Sequence, residues 1–210
     1  MPGPAGGVTP AAGPWLVVGL GNPGPRYAGH RHNIGYHVIA ELAEELGAPR
    51  GQLRAHKSGR ADVFEGRAGT PGNPGPRVVV GRGRTYMNES GGPVASLCDF
   101  YRIGLDRLIV VHDELDLDFG EVRVKLGGGD NGHNGLRSIR SSLGSGEFYR
   151  IRMGIGRPPG RQEVSSFVLE DYRREERGEL PVQIGRAVDA ANMLISQGLQ
   201  ATQNRFHAPK

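Results

Sequence analysis

The chain has 210 residues, 26 Lys and Arg against 22 Asp and Glu, a formal charge of +4 and a single cysteine. One cysteine excludes an intrachain disulfide and fits a reducing compartment, and no apolar run approaches the ~18 residues that span a bilayer. The length suits one well-buried core, and the charge permits an anionic partner without requiring one.

Residues 1–14, MPGPAGGVTPAAGP, have neither a basic start nor an apolar stretch, so they read as a disordered tail rather than a signal peptide, and the cytoplasm is the expected location. Residues 15–18 are a short apolar run that stops at a Gly/Pro cluster, the pattern of a buried strand entering a tight turn. Asn22, between Gly21 and Pro23, stands where that strand ends. His32 and Asn33 come immediately before a helical pattern of Ile34, Val38, Ile39, Leu42, Ala43 and Leu46, with Gly47 at its C-terminal cap.

Residues 48–60 are polar, 62–66 form a short strand candidate, and 67–77 read as a turn-rich surface insertion. A buried strand is expected at 78–80 and a helix at 90–101, with Pro93 in its first turn. The next buried strand, 108–111, ends at His112-Asp113-Glu114, and 116–120 form a turn. Strict alternation over 121–126 puts Val122, Val124 and Leu126 on one face and Arg123 and Lys125 on the other. GGGDNGHNG at 127–135 feeds a short helix with Leu136, Ile139 and Leu143 inward. Residues 148–153 alternate again, Tyr149, Ile151 and Met153 against Arg150 and Arg152. A Gly/Pro loop at 154–160 precedes an amphipathic helix at 181–197, and 201–210 read as a tail. Interleaved strands and helices predict a single α/β domain over 15–200, with a mixed, mostly parallel twisted sheet and helices on both faces.

Several motifs compete for the chemistry. Residues 19–24 match G-x-G-x-x-G after a strand, but Pro23 and Pro25 remove two backbone N–H groups and the helix begins about ten residues late, which weighs against a nicotinamide cofactor. HDEL at 112–115 is internal, so it is no retention signal, and Asn88-Glu89-Ser90 is a sequon only in a secreted protein. Cys98, between Leu97 and Phe100, reads as a packed thiol rather than a nucleophile. There is no G-x-S-x-G elbow, no H-E-x-x-H and no further metal-ligand spacing around His30 and His32.

What remains is water activated by histidine. His32 and Asp113 both follow buried strands, and a carboxylate fixes an imidazole's tautomer and stabilises its protonated form. Asn22, Asn88 and Asn134 stand in turn contexts and could converge on one cleft, binding a peptide backbone or a developing oxyanion. The basic face of Arg123, Lys125, Arg150 and Arg152 fits either solvated edge positions or a phosphate clamp.

Five ordered segments, GLGNPGPRYAGHRHNIG, TYMNESG, HDELDLDFG, the GGG…GHNGLRSI run and YRIRMGIGRP, resemble the bacterial-type peptidyl-tRNA hydrolase family over roughly residues 15–200. The resemblance implies a monomeric α/β esterase that works without metal, cofactor, membrane or obligate protein partner. It cleaves the ester joining a peptide to the 3′-terminal ribose of tRNA, freeing tRNA from abandoned translation products. Mapped onto matching positions, it implies His32 as general base, Asp113 as its orienting partner, and Asn22, Asn88 and Asn134 as binders of peptide and water. It also implies Tyr27, Met87 and His133 as cleft lining, Lys125 and Arg152 as a clamp for the tRNA 5′-phosphate, and Arg123 as a further basic contact. Two departures stand out. Residues 81–84, GRGR, replace a Lys-Pro pair, which is expected to loosen the loop holding Met87 and Asn88. Asp130-Asn131 replaces small residues, placing a negative charge near a gate for an anionic substrate.

Overall fold

The apolar run at residues 15–18 becomes the middle of a sheet. In the computed structural model, which describes residues 13–70 and 72–207, strand β1 (Trp15–Gly19) pairs in parallel with β4 (Asn73–Gly83) on one side and β5 (Leu108–Glu114) on the other. With β2 (Arg54–Ala55), β3 (Ala61–Thr70), β6 (Val122–Leu126) and β7 (Tyr149–Gly154), the order among the described residues is β2-β3-β4-β1-β5-β7-β6. Strands β4, β1, β5 and β7 run parallel, while β3 and β6 join them through antiparallel pairs. Leu16, Val17 and residues 108–111 are fully buried, as strands covered on both faces must be.

Helices α1 (Ile34–Glu45) and α5 (Arg174–Phe206), with the short α4 (Val164–Val168), pack on the face carrying Val17, Ile109, Val111 and Ile151. Helices α2 (Gly91–Tyr101) and α3 (Asn134–Leu143) cover Leu16, Val18, Val110 and Phe148. The expected α/β sheet with helices on both faces is therefore what the chain builds. No helix among the described residues is long and apolar enough to cross a membrane.

Four expectations need correction. Residues 67–77 are not a loose insertion but the outer part of the β3–β4 hairpin, with Arg67 opposite Arg77 and a bulge before Gly69. Positive φ at Gly69 and Gly72 supplies the bulge and turn, and Pro74 sits beyond the reach of β1, where no ladder N–H is needed. The last helix starts earlier and ends later than expected, kinking at Gly198, and buries Thr202 and Phe206, so the segment from 201 is packed helix rather than tail. Its polar stretch hid a second role: Gln203 Nε2 donates to Val124 O at 3.0 Å and His207 Nε2 accepts from Val124 N at 2.9 Å, covering the exposed edge of β6. Leu126, in the alternation with buried Val122 and Val124, is 44% exposed at the end of that edge strand. Arg150, read with a solvent-facing set, is 0% exposed because the loops at 128–129 and 146 cover its side chain on the interior strand β7. Residues 1–12 of the expected tail, and 208–210, lie outside the described residues.

The N-terminus of α1 rests directly on the ends of β1 and β5. A Cβ on Gly35 would lie 2.5 Å from Leu20 N and 2.6 Å from Val111 O, and one on Gly19 would lie 2.1 Å from Gly35 O. These glycines bring the turn before α1 over the carboxyl ends of the central strands. Gly35→Ala is expected to destabilise the fold by about 1–3 kcal/mol or more, because backbone rather than a movable side chain stands in the way; urea unfolding of the two proteins measures it.

Candidate active site

His32 lies in a 3₁₀ turn (Arg31–Asn33) between β1 and α1, and Asp113 near the end of the adjacent β5. Adjacent parallel strands put both side chains at the crevice beyond the sheet's carboxyl edge. His32 Nδ1 is 2.9 Å from each carboxylate oxygen of Asp113. His133 Nε2 is 3.0 Å from the same Oδ1. His133 is also the N-cap of α3, its Nδ1 accepting from Leu136 N at 3.4 Å. An Nδ1 that accepts leaves the proton on Nε2, so His133 presents a donor to Asp113. The three side chains offer atoms within 4.8 Å of one another, a spacing that a metal's ligands can share, and both imidazoles meet the Asp113 carboxylate. His112 completes the cluster: its Nδ1 donates to the Asp113 carbonyl at 2.7 Å and its ring meets His133 edge-on at 5.2 Å.

Electrostatics follow from this packing. Burial alone would raise the Asp113 carboxyl, but attraction and hydrogen bonds from His32 and His133 hold it well below the usual carboxylate range. Burial likewise disfavours a charged His32, yet the Asp113 charge and hydrogen bond outweigh it and raise that imidazole above 6.5. His112, buried and beside His133, is pushed well below 6.5 and stays neutral. With Nδ1 of His32 donating to Asp113, Nε2 keeps its lone pair. His32, His133 and Asn134 line one pocket of about 460 Å³ with α4 as its far wall.

The carboxamides are held from neighbouring positions. Asn33 grips the backbone of Asn22 in both directions, its Oδ1 accepting from Asn22 N at 3.0 Å and its Nδ2 donating to Asn22 O at 2.9 Å. Asn22 Oδ1 then accepts from Met87 N at 2.8 Å, which fixes the amide's orientation and leaves the NH₂ end for a ligand. The three do not share one cavity. Asn22 lines a second pocket with Tyr36 and Arg82, while Asn88 and Asn134, both exposed, border a shallow depression beside Ser138. Met87 is buried over Gly135, where a Cβ would meet its Sδ at 2.6 Å. Tyr27 stands to one side, edge-on to His30 and Tyr86.

The basic face divides. Arg150 turns inward, its guanidinium donating to the carbonyls of Gly128 (2.6 Å), Gly129 and Gly146 (3.3 Å), and so fixes the glycine loop that carries His133. Arg152 pairs with buried Glu114 at 3.0 Å. Arg123 pairs with Glu121 at 3.1 Å and donates to His207 O at 3.0 Å, so it is engaged within the protein. Lys125 makes no such commitment: partial burial first, then the charges of Arg152 and Arg150, lower its pKa. Both sequence departures are compensated. Asp130 meets Arg140 at 2.8 Å, and the loop before Met87 is tied by Tyr36 hydroxyl donating to Gly83 O at 2.7 Å and by Arg82 and Arg84 on Asp62.

Sequence reasoning missed Arg31, Arg140 and the structural half of Arg150, because nothing local to those residues marks a long-range partner. Asn33 had a signal, its place beside His32. Cys98 is buried and its thiol pushed up to about 11 by burial and then Asp99, the state of an inert packed cysteine. The G-x-G-x-x-G segment leads into 3₁₀ turns, with α1 beginning only at Ile34, so no helix N-terminus meets it. Following the His32 imidazole by NMR through a pH titration should give a midpoint above 6.5. In Asp113→Asn the midpoint should fall below 6.5, because burial then acts without a countercharge.

Comparison with known proteins agrees with this geometry. The family model for peptidyl-tRNA hydrolase matches residues 16–210. Among similar curated proteins, the peptidyl-tRNA hydrolase of Frankia casuarinae is 55% identical over 202 residues, covering 96% of this chain and 98% of its own length. The Mycolicibacterium smegmatis protein of the same name is 50% identical over 198 residues, covering 94% and 99%. A crystal structure of peptidyl-tRNA hydrolase from Acinetobacter baumannii superposes with a TM-score of 0.81 at 35% identity, covering 93% of this chain and 95% of that one. The chain belongs to the peptidyl-tRNA hydrolase family.

Proposed function

We propose that this enzyme hydrolyses the ester between a peptide's C-terminal carboxyl and the 3′-terminal ribose of tRNA, with His32 as general base. The observation that carries the reading is His32 Nδ1 held at 2.9 Å by both oxygens of Asp113, which leaves Nε2 as an acceptor on the pocket wall. Nε2 takes a proton from water as the water attacks the ester carbonyl, and Asp113 stabilises the imidazolium that forms. Asn22, whose fixed NH₂ faces the adjoining pocket, and Asn88 and Asn134 on the shallow depression supply polar contacts to the bound peptide and water. Met87 and His133 shape the cleft, and Tyr27 borders its approach. Lys125 and Arg152, on the adjoining strands β6 and β7, are the candidates for a tRNA phosphate; Arg123, already engaged, contributes to the local field. In this reading the enzyme is a cytoplasmic monomer that recovers tRNA for translation, and its single, buried thiol suits a reducing compartment.

Release of tRNA from N-blocked and free aminoacyl-tRNA tests this. Hydrolysis of the blocked ester is expected, with kcat/KM rising with pH through a midpoint above 6.5, since the base must be neutral. His32→Ala should lose about 10²–10⁴-fold; near-full activity in that variant would remove the mechanism. Lys125→Ala should raise KM, leave kcat nearly unchanged, and reduce the slope of log affinity against log salt by about 1.

A further inference from the structure

Arg31, the residue before His32, is 1% exposed, a degree of burial that guanidinium groups seldom reach. Its described side-chain partners all come from one stretch, residues 167–176. Nη2 pairs with Glu176 Oε2 at 2.7 Å and Nη1 donates to Asp171 O at 2.9 Å. The guanidinium plane lies over Phe167, 4.3 Å from its ring centre, and over Tyr172 at 5.4 Å. The backbone joins the same stretch: Arg31 N donates to Glu170 O at 3.0 Å, and His30 bridges Asp171. Glu176 Oε2 also accepts from Arg173 N at 2.6 Å, so one oxygen sets both Arg31 and the first turn of α5. This stretch continues directly from α4, whose Val164, Ser165 and Val168 form the wall opposite His32.

Burying an arginine against a partly buried glutamate is a poor means of filling space, since apolar residues of similar volume often stabilise as well or better. What a planar, forked guanidinium adds is direction. We propose that Arg31 is a positioning residue for the hydrolysis: it locks the α4 pocket wall to the turn bearing His32, so that wall and base keep one fixed relation. The proposal rests on the reading of His32 as general base. A displacement of about 1 Å between base and substrate can cost ~10²-fold in rate, and here one side chain sets that distance from both sides.

Arg31→Lys keeps the charge but loses the fork and the ring contact; Glu176→Gln keeps the shape but loses the ion pair. In the full-length protein, kcat and KM on N-blocked aminoacyl-tRNA, thermal unfolding and the NMR titration of His32 are measured together. Asp113 and His133 face His32 directly, and His112, Glu114, Asp116, Asp130, Arg157 and Glu163 line the same pocket; both variants leave these groups in place. Arg31→Lys is expected to lower kcat about 10–100-fold with a smaller change in KM, and to move the His32 midpoint down toward 6.5 as the ring loses alignment with Asp113. Glu176→Gln should shift both in the same direction by less, and it decides the matter if Arg31→Lys does not fold. Wild-type kcat per folded molecule and an unmoved His32 midpoint, with only a lower unfolding temperature, would reduce Arg31 to packing. If the wild type left the blocked ester intact while the His32 midpoint still moved in the variants, the hydrolytic reading would fall and the positioning would stand.

Discussion

The buried carboxylate of Asp113 organises this molecule. An ionised carboxyl removed from water costs several kcal/mol unless it is paired and hydrogen-bonded, and Asp113 sits at 4% exposure at the end of an interior strand. Two imidazoles meet its oxygens, one from the turn before α1 and one from the N-cap of α3. Those two segments come from opposite faces of the sheet, so satisfying one charge joins the helix layers at the sheet's carboxyl edge. Pairing the carboxylate thus also fixes the position of His32. A histidine shifted along either segment would leave the carboxylate underpaired.

Polar groups on turns need anchors, because a turn has little packing of its own. Each turn here is tied by buried polar contacts to a different element. Asn33 clasps Asn22 through both of its backbone groups, and Asn22 in turn receives Met87 N, linking the ends of β1 and β4. Arg150 reaches from β7 to the glycine loop before His133. Close backbone contact at Gly19 and Gly35 seats α1 without an intervening side chain. The result is a set of fixed donors and acceptors around a pocket, the preorganised arrangement in which electrostatic catalysis is strongest.

The central strands, the first helix and the His32–Asp113 pair were legible because their signals are local: apolar runs of strand length, turn residues at their ends, and polar residues placed where those runs stop. What escaped was set by distant partners. Arg150 alternates with Tyr149 and Ile151 as a solvent-facing residue would, and it is interior because the carbonyls of Gly128, Gly129 and Gly146 close over its guanidinium. The Gly/Pro-rich stretch 67–77 looks like a loop by composition, yet the ladder begun at residues 78–80 extends into it once β3 lies alongside. Residues 201–206 show little apolar periodicity, because there Gln203 and His207 serve the edge of β6 through hydrogen bonds rather than burial. Five ordered motifs named the family, but no motif records that Asn22 and His32 line different pockets.

The positive face shows why counting basic residues misjudges a site. Of four cations on β6 and β7, Arg150 is consumed by carbonyls, Arg123 by Glu121 and His207, and Arg152 in part by Glu114. Lys125 makes no such pairing, and partial burial first, then the charges of Arg152 and Arg150, lower its affinity for a proton. Holding Lys125 beside Arg152 costs electrostatic free energy that the strands' packing must offset. An anion placed between them relieves that repulsion while adding its own attraction. The free protein therefore already carries the unfavourable term that a phosphate would remove.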